Sequence, residues 1–433
     1  MKKKDLTTAS AIALATVMLI SGCGGSAGPV DGNDSGDQEL SVWLMEGEIP
    51  EATVTSITDQ FKEQTGTTVK VELQQWDGIN TKLITALATN DPPDVMQIGN
   101  TNVPLFAATG GLVDITQYKD DFYESDSWLA GLAGPAVFDE KLFAVPLAGN
   151  SRAVMYDKGM WADAGIDAPP TSFEELERAL DLIKSQNSEP DFSPMYLAGV
   201  NWYVALSFLY DAGGSLAKQV DGKWVGQLST PESLKGLGQF VEFQNKYSSV
   251  ASRTVPSGGP DSAVVFASGR ASSIIDSSGS LGTVLRTNPE LEGQVGSFAM
   301  PSQNNPGELM PAFMGGSDMG MAKNSTNKEL GLEFLKFISS ESVQAEIVAA
   351  TGASPGSEAQ LQALLPTIDE FAQPFWDAAK NSISVPPTPG WATLESDGSP
   401  ADFFSQLTRG QKSIESLAKT FDDHINEALN ASY

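Results

Sequence analysis

One cysteine and one histidine in 433 residues leave this chain without most of the usual means of covalent and acid–base catalysis. A single thiol excludes an internal disulfide and a thiolate metal cluster. The lone histidine, His424, stands between Phe421 and Ala428 at helical spacing near the chain end, the setting of a structural or surface side chain. Serine and cysteine triads therefore lack a base, and histidine-based metal sites are ruled out. Neither a Gly-x-x-x-x-Gly-Lys-Ser/Thr loop nor a Gly-x-Ser-x-Gly elbow occurs. Basic residues are scarce as well: 26 Lys+Arg face 55 Asp+Glu, a net charge of −29. A surface that acidic repels nucleic acid and anionic lipid head groups and keeps a chain soluble. No nucleic-acid partner, cofactor or metal is expected. Paired carboxylates still leave glycoside hydrolysis open, although no specific pair stands out.

A membrane-spanning run is also missing. The longest apolar stretch, Leu6 to Ile20, follows Lys2, Lys3 and Lys4, and its length of about 15 residues falls short of the roughly 20 that cross a bilayer. It has the form of a secretory signal. Ile20-Ser21-Gly22-Cys23 comes next and resembles the bacterial lipobox, with isoleucine where leucine is commoner. Small residues ahead of the cysteine suit a narrow protease cleft, and the thiol is the nucleophile that accepts a lipid. Residues 1–22 thus read as a lipoprotein signal peptide and Cys23 as the lipidation site. Residues 23–38 are small, polar and acidic; they cannot bury enough apolar surface to fold and read as a flexible tether.

From Glu39 onward strands and helices alternate. Leu40 to Met45 reads as a strand, and Val54, Ile57 and Phe61 mark an amphipathic helix over 51–64 that Gly66 stops. Thr68 to Leu73 is a β-branched strand, Ile79, Leu83 and Leu87 mark a second helix, and Asp94 to Ile98 a third strand. That order predicts an α/β fold with a mostly parallel sheet. Thr171 and Ser172, each three residues before a glutamate, offer overlapping capping boxes for a helix from Phe173 to about Ser185. Thr230-Pro231 opens another, and 326–340 and 341–350 read as consecutive helices ended by Gly352.

In open α/β sheets ligands bind beyond the carboxyl ends of the strands. The turns there carry Glu46, then Gln75 and Trp76, then Asn100. Amide and carboxylate groups match sugar hydroxyls, and an indole face accepts the C–H side of a pyranose.

Several segments together resemble a known family. Phe61-Lys62-Glu63-Gln64-Thr65-Gly66, Pro93-Asp94-Val95 and Gly110-Gly111-Leu112-Val113-Asp114 come first. Phe143-Ala144-Val145-Pro146, Tyr156-Asp157-Lys158 and Pro169-Pro170-Thr171-Ser172-Phe173-Glu174-Glu175-Leu176 follow. Gly315-Gly316-Ser317, Ala322-Lys323-Asn324-Ser325, Glu333-Phe334-Leu335-Lys336-Phe337 and Pro355 complete the series. Each is weak alone, but their order is similar to the extracellular solute-binding proteins of carbohydrate ABC importers, the type related to maltose-binding protein. Two departures stand out. Asp157 replaces the family's usual asparagine, and Asp276, Ser277 and Ser278 stand where a Gly-x-Trp segment is usual.

The resemblance implies a two-lobed periplasmic-binding-protein-like fold with a hinge and an interlobe cleft. One lobe is expected over 39–148 plus 303–352 and the other over 149–302 plus 353–433. Crossings are expected near Leu147 to Arg152, Pro301 to Gln303 and Gly352. The implied binding residues are Asn150 and Arg152 at the hinge, Trp202 and Tyr203 as stacking candidates, and Asp276 with Ser277 and Ser278. Gly315, Gly316, Ser317 and Asp318 are added for close backbone approach, and Trp391, flanked by Pro389 and Gly390, as a second stacking wall. The expected function is capture of a mono- or oligosaccharide and its delivery to membrane permease subunits by a lipid-anchored monomer without enzymatic activity. An extracellular polysaccharide-acting enzyme and a binding protein for a cationic osmolyte remain as alternatives. Replacing Cys23 by serine should move the protein from the detergent to the aqueous phase in Triton X-114 partition; an aqueous wild-type protein would refute lipidation.

Overall fold

The computed structural model describes residues 39–256 and 259–432; the signal segment, Cys23 and the tether lie outside the described residues. β1 (Glu39–Met45) is buried on both faces, by Leu40, Val42 and Leu44 on one and Trp43 and Met45 on the other. A strand of that kind belongs inside a parallel sheet with helices on both sides. β2 (Thr68–Gln74) and β3 (Val95–Gly99) run parallel to it on either side. β2 is the edge strand and shows Lys70 and Glu72 to solvent, charges that discourage edge-to-edge pairing. Helices α1 (Glu51–Thr65) and α2 (Ile79–Leu87) are the expected crossovers. Gly66 ends α1 in the left-handed conformation, its N–H donating to the Lys62 carbonyl, and Phe61 packs edge-on against Phe334 at 5.2 Å.

β4 (Ala144–Asn150) belongs to the same sheet, but two residues after its end the chain enters another. β5 (Arg152–Asp157) is the middle strand of an antiparallel three-stranded sheet, with β6 (Ser273–Ser277) and β7 (Val295–Phe298) on its flanks. Asp157 caps the next helix by accepting from the Met160 N–H at 2.9 Å, so this departure from the family pattern serves a helix end. Around the second sheet pack α3 (Phe173–Gln186), α4 (Trp202–Asp211) and α5 (Pro231–Tyr247). The two capping boxes merge at α3: Ser172 accepts from the Glu175 N–H, while the Glu175 carboxylate reaches back to Thr171 N–H and hydroxyl. A core of Trp161, Phe208, Phe240, Trp391 and Phe404 joins these helices to α6 (Pro389–Asp397) and α7 (Ile414–Leu429).

The chain returns through β8 (Gly315–Met321), which inserts antiparallel between β3 and β4 and completes the order β2-β1-β3-β8-β4. The return therefore comes at Phe313 to Gly315, later than the expected Pro301 to Gln303. The reason is Asp211, at the end of α4. Its carboxylate accepts from Ser302 hydroxyl and from the backbone N–H groups of Gln303 and Asn304, which ties that stretch to the second lobe. At the third crossing Gly352 stops the helix Glu341–Thr351 in the left-handed conformation. Ser354 then exchanges two backbone hydrogen bonds with Gly149, at 2.8 and 2.9 Å. Gly149 also faces Gly316 of β8, so the three crossing segments lie side by side. Gly316 has φ +153°, and a Cβ there would sit 2.4 Å from the Ala148 carbonyl; no other residue fits.

Asp318, fully buried in β8, has neither carboxylate oxygen hydrogen-bonded to any described residue. Desolvation raises its pKa well above the ordinary aspartate value. Protonated in the fold but ionised in the unfolded chain above about pH 4, it makes stability fall as pH rises toward its folded pKa. Asp318→Asn should stabilise the protein by about 1–3 kcal/mol at pH 7, with the gain shrinking toward pH 4 in urea titrations. A gain independent of pH would refute the buried neutral acid.

Candidate functional site

The loops beyond β2 and β3 face the second sheet across a cavity of about 840 Å³. Trp76 and residues 99–102 line its first-lobe side, Arg152, Tyr196, Tyr203 and Asp276 its second-lobe side, and Phe313, Gly315 and Gly316 the crossing between them. A smaller cavity of about 390 Å³ adjoins the crossings, with Glu48, Gln97, Asn150 and Ser277 in its wall.

Trp76 is 40% exposed. Its indole N–H donates to Glu48 at 3.0 Å and its ring lies beside Gly99, where a Cβ would come within 3.5 Å of it. The ring lines the cavity from the lobe opposite Tyr203. Asn100 is buried with its amide already engaged, donating to the carbonyls of Gly131 at 2.9 Å and Met314 at 3.2 Å. It holds the return crossing in place and has only its side-chain oxygen left for a ligand.

Arg152 is the first residue of β5. Its guanidinium lies 4.2 Å from the Tyr203 ring centre and 5.7 Å from that of Phe313, which is cation–π range. Its single backbone acceptor is the Phe313 carbonyl at 3.4 Å. Burial pulls its pKa down, and the nearby charge of Asp276 opposes that shift. Asp276 accepts from the Ser262 hydroxyl and from the Ser277 N–H. Trp202 is mostly buried, 4.0 Å from Tyr203 and 5.7 Å from Trp391 between ring centres. It is part of the cavity lining, while Tyr203 stacks on Phe313 at 5.1 Å.

Other expected site residues lie elsewhere. Trp391 is completely buried in the second-lobe core. Flanking proline and glycine had suggested an exposed turn, but Gly390 lets α6 approach α7 so closely that a Cβ there would lie 2.1 Å from the Ala428 carbonyl. That contact seals the adjoining indole inside. Ser317 points within the sheet and accepts from Gln97 at 2.8 Å, and Asp318 is shut in the first lobe. Neither side chain lines the cavity, although Gly315 and Gly316 do. Glu46 and Gln75 bond to each other on the exposed surface, and Ser278 donates to the Gly352 carbonyl at the third crossing.

Glu395 was not among the expected residues. It lies one turn after Trp391 on α6 and lines the cavity. It accepts from the Thr101 hydroxyl at 2.8 Å, a bond from the first lobe to the second. Burial raises its pKa, and the Thr101 bond pulls the other way. The i, i+4 relation to Trp391 was the available signal. Tyr196 and Phe313 were also missed, because each sits in an apolar stretch that reads as core. No group of three or more potential metal ligands occurs among the described residues.

The family model for the bacterial extracellular solute-binding proteins matches residues 47–345. Diacetylchitobiose binding protein DasA of Streptomyces coelicolor is 34% identical over 437 residues, covering 99% of both chains. The sugar-binding protein MalE from Xanthomonas citri superposes with a TM-score of 0.79 at 22% identity, over 90% of this chain and 97% of that one. The GacH receptor of Streptomyces glaucescens, solved unliganded and with acarbose, gives 0.75 at 19% identity, over 92% and 100%.

The two tryptophans should respond unequally to truncation. Trp391→Ala is expected to cost about 3–5 kcal/mol in urea unfolding, and Trp76→Ala about 1 kcal/mol or less. Equal losses would contradict the burial difference.

Proposed function

The chain belongs to the bacterial extracellular solute-binding proteins, and from that membership we propose that it captures a small oligosaccharide for an ABC importer. The sugar sits in the cleft between the lobes, and closure hands it to membrane permease subunits. The observation that carries the reading is the 840 Å³ cavity with Trp76 on one lobe facing Arg152, Tyr203 and Asp276 on the other. Aromatic faces and polar groups of both senses, half-enclosed, form the wall a sugar needs. The hinge is assigned to Asn150 to Arg152, Phe313 to Gly315 and the Gly352 to Ser354 stretch. The lobes are those built on the five-stranded and three-stranded sheets. Trp76, Asn100, Arg152, Tyr203, Asp276 and Glu395 are the assigned binding residues, with Asn150 and Ser277 at the adjoining chamber.

Near-full-length similarity to a diacetylchitobiose binding protein favours a short β-linked N-acetylhexosamine chain as the ligand. Delivery outside the membrane by an unassociated monomer held through a lipid on Cys23 completes the reading. A cationic osmolyte is disfavoured because Asp276, the carboxylate that would hold it, already stands in the field of Arg152. An enzymatic role finds no support in the family, whose members bind and release.

A thermal-shift series with chito-, cello- and malto-oligosaccharides tests this. A ligand present at 100 times its Kd adds about 2.7 kcal/mol of stability, and N,N′-diacetylchitobiose is expected to raise Tm accordingly. If no sugar moves Tm, the carbohydrate reading falls.

A further inference from the structure

The turn that ends β3 touches three parts of the molecule at once. Asn100, Thr101 and Asn102 all line the cavity. Asn102 is braced from α2 by the Asn80 amide at 2.9 Å, and Thr101 donates across the cleft to Glu395. Asn100 sends both N–H groups of its amide the other way, to the carbonyls of Gly131 at 2.9 Å and Met314 at 3.2 Å. Two carbonyl partners fix which end of the amide is nitrogen. Its Oδ1 is therefore the end left over, and among the described residues no donor reaches it. Met314, for its part, is tied to both lobes. Its side chain is fully buried in a seat made by two first-lobe glycines. A Cβ on Gly131 would lie 2.5 Å from Met314 Cβ, and one on Gly149 would strike Met314 Cε. Its N–H donates to the Ile383 carbonyl at 3.1 Å, and Ile383 packs on the second-lobe core.

A turn of the lobes at this crossing is taken up in the dihedral angles around Met314 and swings its carbonyl. The Asn100 amide, anchored by its shorter bond to Gly131, accepts that carbonyl in one direction only, because a hydrogen bond weakens steeply as its angle falls. A ligand favours one setting of a hinge only by binding that setting better. A hydroxyl donating to Asn100 Oδ1 meets the condition: it polarises the carboxamide and strengthens the bonds that the N–H groups make, and the Met314 bond exists in one setting alone. We propose that Asn100 is the positioning residue that couples occupancy of the cleft to the hinge, its oxygen receiving the ligand while its amide holds the Met314 pivot. Its neighbour Thr101 bonds across the cleft in the same arrangement, so the setting held is the closed one. The proposal rests on the sugar-binding reading above and concerns how binding becomes a change of shape.

Hydrogen-exchange mass spectrometry of the full-length protein in detergent tests it, with and without saturating N,N′-diacetylchitobiose or, if that sugar does not bind, the oligosaccharide that raises Tm most. Slowing in α1, remote from the crossings, reports the general stabilisation that any ligand gives and is divided out. In the wild type the peptide containing Met314 should then slow by about a further 10-fold on saturation, the range of one hydrogen bond. Asn100→Ala should bind the sugar more weakly, and at saturation its extra slowing at Met314 should fall below about 3-fold. Free and saturated forms of one protein are compared, so a general loss of stability does not mimic the effect. Should Asn100→Ala fail to fold or to bind, Met314→Leu takes its place. That change conserves volume but alters the shape held between the two glycines, and it should show the same loss. Full slowing retained in the variant, or no extra slowing at Met314 in the wild type, overturns the coupling while leaving sugar capture intact. If the wild type binds no sugar of the series, sugar capture and coupling fall together.

Discussion

Everything in this molecule hangs on one glycine-lined contact, the place where three crossing segments lie side by side. Gly149 pairs with Gly316 on one side and Ser354 on the other. The backbones approach so closely at Gly316 that a side chain would strike the Ala148 carbonyl. Each crossing is only a few residues long, which is why the hinge is proposed there: small dihedral changes would turn one sheet against the other with both cores intact. Neighbouring amides fasten the crossings to the first lobe. Asn100 donates to the Met314 carbonyl, and Gln344 donates to that of Leu147. The proposed binding surface thus adjoins the proposed hinge.

Buried carboxylates mark the fixed points around that junction. Asp94 accepts from the Ser41 N–H, the Ser325 hydroxyl and the Asn327 amide. Asp422 accepts from the N–H groups of Leu228 and Ser229 and from the Ser229 hydroxyl, and Asp211 holds the 302–304 stretch. A buried carboxylate supplied with several donors locks distant segments together. Asp318 has no donors, and its neutral state follows from its burial. One residue type therefore serves as clamp or as strained passenger, according to how many N–H and O–H groups converge on it.

In the cleft the division of labour follows from which lobe supplies what. The first lobe offers an indole face and a bond from Thr101; the second offers a charged, aromatic-backed wall and Glu395. Neither half encloses a ligand alone. In the proposed function, closure brings them together and takes the polar groups out of water, so that their bonds count for more. This is why a binding protein of this kind couples occupancy to shape.

The order of elements was legible because it depends on local patterns: the short apolar runs of β1 and β3, the β-branched residues of β2, the period-3.6 burial of α1 and α2, the glycine stops at Gly66 and Gly352, and the caps at Ser172 and Thr230. Family likeness extended this to two lobes, since ordered short motifs survive divergence. The site was legible only in part. Trp76, Arg152, Tyr203 and Asp276 lie on the cavity, whereas Trp391 and Asp318 do not, and no local pattern distinguishes them. A tryptophan after Pro-Gly reads as exposed until the close approach of α6 and α7 buries it. An aspartate after Gly-Gly-Ser reads as a ligand group until the strands packed around β8 bury it. Sequence by itself determined the element order, the charge and the lone candidate for lipidation, because these are properties of neighbours along the chain. Which side chains meet in the cleft, where the chain recrosses and which carboxyls stay neutral were decided by tertiary structure alone, since each depends on residues far apart in the chain coming into contact.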